Sequence, residues 1–429
     1  MRVTVVSKEL IVPSSPTPPD LKNYKLSYID QQVPPYYISF ILYYLYDDST
    51  TITQSNIIIK LKTSLSKTLT RYYPLAGRLS KNRNTVDCND QGVQFLVARV
   101  ESNLLDMIKS PIIEELNQLM MVEPSYVDEQ LAIQVNFFEC GGIAIGVSIS
   151  HRIGDAYSIS LFVSQWFAMI KGSETTLVCP VLDSSVLFPP MESHAYSRNP
   201  KNPMVHVPVK NLVTKRFVFS SVAINRLKRE VVKGTNTLVN PTRVEVVTAL
   251  IWKCGTVALG DCQASVAFHV VNVRSKMVPL LQDNQFGNVF QMACAVTDQT
   301  VDMDMGSLVV MLRGSFEKIN SQYLKKLTGE NGVEMAKGNF RQIRDYMIQE
   351  GARVFRFSSW CRLVVNECDF GWGTPVWVSS ANFNDENCII LMDSRKDDGI
   401  EAWVVMNEND MHKFEHNIQL QEYVSSATS

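Results

Sequence analysis

One ten-residue run limits what this chain can fold into. From Gly141 to Ser150 (GGIAIGVSIS), Ile143, Ile145, Val147 and Ile149 alternate with Ala144, Gly146, Ser148 and Ser150. Alternation with period two marks a strand, because successive side chains leave opposite faces. One face is bulky and β-branched. The other is small, which lets a ligand or another backbone come close. The period then changes. From Asp155 to Gly172 the apolar residues Ile159, Phe162, Val163, Trp166 and Ile170 fall at helical spacing, and Gly172 suits a helix C-cap. The chain therefore passes from a strand into a helix through His151–Gly154, a junction from which polar groups can be presented into a cleft.

The same two periods recur along the chain. Ile58, Leu61, Leu65 and Leu69 predict an amphipathic helix over Asn56–Thr70, ending before Pro74. Gly92–Val100 and Leu131–Phe138 read as strands, as does Ile38–Tyr46. Pro180–Pro208 is rich in Pro, Ser and Asn and reads as a crossover linker. Beyond it the spacing predicts a strand near Lys215–Phe219, helices from Ala223 and over Glu245–Leu259, and a helical region over Met305–Glu350. A chain of 429 residues has room for two or three units at about 100–200 residues each. The expected division is near residue 195, into mixed α/β halves 1–195 and 196–429.

Composition excludes several classes. The formal net charge of −2, without a basic block, gives no footprint for nucleic acid or an anionic membrane. The run Ile38–Tyr46 is too short for a bilayer, which takes about 20 apolar residues. The first residues carry no apolar signal region. Nine cysteines, an odd number with no CxxC pair, read as reduced thiols in the cytosol rather than a disulfide framework or zinc knuckle.

Of the six histidines, His194 and His206 lie in the linker, and His412 and His416 in a polar C-terminal helix. His269 sits in a strand-like run (VAFHVV) and reads as a satisfied core histidine. His151 stands apart, with a small-faced strand before it, a helix after it and Asp155 four residues on. Stock motifs are absent. Gly146–Ser150 is not G-x-S-x-G, and no HExxH, P-loop or G-x-G-x-x-G occurs. No metal is expected, since no second histidine or cysteine lies near His151 at ligand spacing.

His151-Arg152-Ile153-Gly154-Asp155 spells HxxxD, and Asp369-Phe370-Gly371-Trp372-Gly373 spells DFGWG. HxxxD alone is weak; the pair at this separation is specific. With YYPLAGRL at Tyr72–Leu79, TRVEVVTALIWK at Thr242–Lys253, VNVRSKM at Val271–Met277 and FGN at Phe286–Asn288, the whole chain resembles the plant BAHD acyltransferases, in the style of their alkaloid O-acetyltransferases. The resemblance implies an α/β fold of two similar chloramphenicol acetyltransferase-like domains. Each would be a mixed sheet flanked by helices, with a channel between them, and a segment near 376–398 would pack with the first domain. It implies acetyl-CoA as co-substrate and a small-molecule alcohol as acceptor. A monomer is the default expectation, since no exposed amphipathic seam is evident in the sequence.

The resemblance also distributes roles. His151 would be the general base, since an imidazole with an ordinary pKa near 6.5 is mostly neutral at pH 7. Asp155 either orients His151 or pairs with Arg274 as a structural ion pair, and the second reading is preferred. Asp369 counts with the catalytic residues, although Gly371, Trp372 and Gly373 around it suggest a structural turn. The Trp372 indole is a candidate oxyanion donor, and Ser358 and Ser359 are candidates for contact with CoA. Lys276 replaces an arginine common in the family, and Arg152, if it faced the channel, would favour a polar acceptor. Other readings are a hydroxycinnamoyl, benzoyl or amine acyltransferase, and a non-catalytic small-molecule binding protein on the same scaffold.

Overall fold

The computed structural model describes the chain except residues 34–35, 46–52, 122–127, 173–176, 192–210, 235–238, 261–262, 280, 298–303, 382–384, 396 and 425–429. Its contacts divide the chain into two compact units. Unit one is Met1–Ser197 with Gln282–Val289 and Leu363–Asn382; unit two is Arg198–Leu281, Phe290–Arg362 and Phe383–Ser429. The boundary expected near 195, and most of the expected linker, lie outside the described residues. Two stretches from the second half of the sequence belong to unit one. Of the segment expected at 376–398, the later part forms a strand of unit two.

Unit one is built on β1 (Arg2–Ile11), β2 (Tyr37–Tyr44), β3 (Val93–Glu101), β4 (Leu131–Phe138) and β5 (Ile143–Ser150), with the short strand Trp377–Ser379. The order is β1-β3-β4-β5-β2-Trp377–Ser379. Only β3 and β4 run parallel. Both β4 and β5 are buried along their whole length. The small face of β5 is spent on backbone: a Cβ at Gly146 would lie 2.5 Å from the Leu119 carbonyl oxygen. Asn136 Nδ2 ties that segment down by donating to the Leu119 and Ala144 carbonyls, at 2.7 and 3.1 Å.

Two helices of unit one carry the sequence pattern. In α1 (Gln54–Arg71) the buried seam is Ile57, Leu61, Ser64, Leu65, Thr68 and Leu69. It starts at Ile57 rather than Ile58, because the four-residue steps from Leu61 and Leu65 return there. In α2 (Ala156–Lys171) Asp155 is the N-cap, and Gly172 closes the helix in the left-handed region at φ 65°. The fully buried Trp166 of α2 donates its indole N–H to Ser64 Oγ of α1 at 2.9 Å.

Unit two has a second six-stranded mixed sheet. Its strands are β6 (Leu212–Phe219), β7 (Ala264–Asn272), β8 (Phe290–Thr297), β9 (Ala352–Ser359), β10 (Cys388–Asp393) and β11 (Ile400–Asn407). The order is β8-β7-β9-β10-β11-β6, with β7-β9 and β9-β10 parallel. The helices are α3 (Ser221–Lys233), α4 (Arg243–Leu259), α5 (Met305–Lys318), α6 (Gly332–Ile348) and α7 (Glu408–Glu415). The core gathers Leu250, Ile251 and Trp252 of α4 against Phe355, Phe357 and Val404 of the sheet. Helix α4 begins two residues before the expected start. Thr242 and Glu245 form a reciprocal capping box there, the T-x-x-E pattern that marks such a start.

Candidate active site

The junction after β5 is a tight turn, His151–Gly154, held from several sides. The His151 backbone N–H donates to the Tyr36 carbonyl at 2.8 Å, and Ile153 N–H returns to the Ser150 carbonyl at 3.0 Å. The ring is partly buried, with Tyr36 at 5.4 Å between centroids. His151 Nδ1 lies 3.2 Å from the Gly154 carbonyl oxygen. A carbonyl only accepts, so Nδ1 carries the proton and Nε2 keeps its lone pair. Burial lowers the His151 pKa, while the charge of Asp155 and the Gly154 carbonyl oppose that shift. The neutral form, the one able to take a proton, is favoured.

Asp155 does not orient the ring through any of these contacts. Its Oδ1 accepts the Ser158 N–H at 2.9 Å, as an N-cap does, and its Oδ2 accepts the Val289 N–H at 3.1 Å. Ser158 Oγ donates to the Gly287 carbonyl at 2.8 Å. The carboxylate thus fastens Gln282–Val289 to the start of α2, while the Gly154 carbonyl holds the His151 ring.

Two residues that sequence reasoning passed over complete the turn. Asn288 Nδ2 donates to the His151 carbonyl at 2.6 Å and to Asp30 Oδ1 at 2.7 Å. Asp30 is fully buried and also accepts from Asn288 N–H, Ser27 N–H and Ser27 Oγ, at 3.2, 2.8 and 2.7 Å. Burial nevertheless outweighs these donors and raises its pKa to about 6. The available signals were Ser27-x-x-Asp30, a capping-box spacing, and the FGN stretch that contains Asn288. Arg152 is buried, with Nη1 3.4 Å from the Arg83 carbonyl.

The DFGWG segment folds on itself. Asp369 Oδ1 accepts the N–H groups of Gly371 and Gly373 at 2.9 and 2.8 Å, and Oδ2 meets Lys171 Nζ at 3.1 Å. Both glycines have φ of 100°, which favours glycine. Phe370 and Trp372 stack at 5.9 Å and meet Tyr44 edge-on at 6.0 and 6.1 Å. These contacts tie the Asp369 carboxylate to its own turn and to α2. The Trp372 indole N–H is buried with no hydrogen-bond partner among the described residues.

A family model described as the Transferase family matches residues 1–421. Stemmadenine O-acetyltransferase from Catharanthus roseus is 40% identical over 423 residues, covering 96% of this chain and 95% of that protein. Limonoid 1-O-acetyltransferase from Citrus sinensis is 35% identical and aligns over the whole of both chains. The crystal structure of vinorine synthase superimposes with a TM-score of 0.85 at 35% identity, over 99% of each chain. The chain belongs to the BAHD acyltransferase family.

It is therefore an acyl-CoA-dependent acyltransferase, and the mixed sheets flanked by helices are the BAHD fold. In unit two of this BAHD enzyme, Ser358 and Ser359 end β9. Ser358 Oγ accepts the Trp360 indole N–H at 3.0 Å. Ser359 lines a cleft of about 1020 Å³ with Lys228, Arg229 and Lys233 of α3, Arg243 of α4, and Arg362. Arg243 is neutralised by Asp393 and Asp398, at 2.6 and 2.7 Å. The other four cations take part in no ion pair among the described residues. Arg274 is buried, its Nη1 3.2 Å from Asn272 Oδ1. Lys276 Nζ donates to the Phe316 and Ile319 carbonyls at 3.1 and 3.0 Å, capping the C-terminal end of α5. A lysine ammonium is sufficient for that task.

Proposed function

We propose that this enzyme transfers an acetyl group from acetyl-CoA to a hydroxyl of an alkaloid or terpenoid, with His151 Nε2 as the general base. The observation that carries the mechanism is the Nδ1–H to Gly154 carbonyl bond, which leaves Nε2 unprotonated. Nε2 takes the acceptor's hydroxyl proton as its oxygen attacks the thioester carbonyl. The tetrahedral adduct collapses, the C–S bond breaks, and the CoA thiolate takes the proton back from the imidazolium. The products are the acetyl ester and CoA–SH, with no acyl-enzyme. A base so placed contributes roughly 10²–10⁴-fold.

The acceptor class rests on the stemmadenine and limonoid O-acetyltransferases, whose names place the acetyl group on an oxygen. The cleft of unit two supports a CoA site, in which Lys228, Arg229, Lys233 and Arg362 meet the phosphates and Ser359 the nearby pantetheine. A cytosolic setting fits this reading, supported by the buried, unbridged Cys88, Cys254 and Cys368, and the enzyme is taken to act as a monomer.

The test is CoA release from acetyl-CoA with a panel of alkaloid and terpenoid alcohols, for wild type and His151→Ala. Acceptor-dependent release that the variant loses while still folded establishes the base. Turnover that survives in the variant overturns it. Turnover only with an aromatic acyl-CoA keeps the base and moves the donor.

A further inference from the structure

We propose that His412, Glu415 and His416 form a binding site for a first-row divalent transition-metal ion, a site the acyl-transfer chemistry does not use. His412 and Glu415 lie in the last turn of α7, and His416 is its C-cap. Residues three and four apart share one helix face. One ligand atom from each lies within 4.8 Å of the others, and this is the one such trio among the described residues.

The orientation of each group favours a metal. Glu415 turns its two oxygens to different partners. Oε2 is held by Lys215 Nζ. Oε1 faces the His412 imidazole, 3.8 Å from its Nδ1, and lies 3.9 Å from Nδ1 of the His416 ring, whose ligating nitrogen would be Nε2. The rings lie 4.5 Å apart between centroids. His416 Nδ1 is 2.7 Å from the His412 carbonyl oxygen, so it carries the proton and leaves Nε2 as the lone-pair donor. A backbone carbonyl that fixes the tautomer in this way is the usual companion of a metal-ligating histidine. The trio also sits where the carbonyl ends of the helix favour a cation.

The donor set selects the ion. Two imidazoles and one carboxylate suit zinc, nickel or copper, whereas calcium and magnesium prefer all-oxygen shells. The histidine side chains are 74% and 65% exposed, so water fills the remaining coordination positions.

Calorimetric titration of untagged full-length protein with Zn²⁺ tests the site. The expected result is one ion per chain, bound about tenfold or more weakly by the His412→Ala, His416→Ala double variant. His151→Ala should bind as wild type does. Zinc should also raise the unfolding midpoint of wild type but not of the double variant, because an ion that binds only the folded chain stabilises it. Both replaced side chains are exposed, so equal midpoints without zinc show that the fold is intact. No zinc binding by wild type, or equal affinity in the double variant, overturns the proposal. So does loss of binding in His151→Ala, which would place the ion at the catalytic histidine.

Discussion

Two turns of unit one carry the family's two motifs, and they spend their aspartates differently. At His151–Asp155 the carboxylate reaches outward to the Ser158 and Val289 N–H groups, and the histidine keeps one ring nitrogen for chemistry. At Asp369–Gly373 the carboxylate bends back onto Gly371 and Gly373 and pairs with Lys171. In the proposed mechanism the first turn presents a reactive nitrogen. The second consumes its only charged group in holding its own shape. A motif's position in sequence therefore does not tell where its acid is held; the hydrogen-bond partners do.

The largest expected effect lies on the exporting side. His151→Ala should lower kcat by roughly 10²–10⁴ with an unchanged unfolding midpoint. An unchanged kcat would erase the distinction between the turns. Asp155→Ala removes a helix cap and strands a buried N–H, and should destabilise unit one by about 3 kcal/mol in chemical denaturation. Asp155→Asn sharpens the same point. The Asp155 charge raises the His151 pKa, so its loss should move the acid limb of the rate profile to lower pH.

Acid also threatens the fold, through His269. Its Nδ1 donates to the Val270 carbonyl at 3.0 Å, as expected of a core histidine, yet Nε2 is buried with no partner among the described residues. Burial lowers its pKa to about 4. A lowered histidine pKa means that the unfolded chain binds the extra proton first. The stability from neutral His269 is thus whole above pH 6.5 and is lost as pH falls towards 4, by up to about 3 kcal/mol. His269→Leu should flatten unfolding free energy against pH over that window. If the acid limb of activity flattens with it, that limb reports unfolding rather than the base.

Smaller effects belong to the self-contained turn. Asp369→Ala should cost about 1–2 kcal/mol of stability, because it loses two turn hydrogen bonds and a partly exposed ion pair. Its kcat should fall far less than that of His151→Ala, and an equal fall would return Asp369 to the chemistry. Gly371→Ala should cost about 1 kcal/mol through backbone strain alone, read as a lower unfolding midpoint.

What the sequence determined by itself is local. Period two over Ile143–Ser150 and period 3.6 over Ile159–Ile170 placed β5, α2 and the His151 junction, because side-chain direction follows backbone repeat. The T-x-x-E start of α4 was also present in the sequence, although the periodicity alone began that helix two residues late. Other features needed the tertiary structure, because their partners are far apart along the chain. Asp30 meets Asn288 across 258 residues, and that pair fixes the His151 carbonyl. The small face of β5 could have met a ligand or a backbone, and only packing assigned it to Leu119 and Met120. The His151 tautomer, and with it the nitrogen open to the proposed base role, is a matter of which acceptor the folded turn brings to Nδ1. Hydrogen bonds act over about 3 Å and are indifferent to sequence separation. Periodicity therefore predicts elements, and only the fold decides which polar groups find each other.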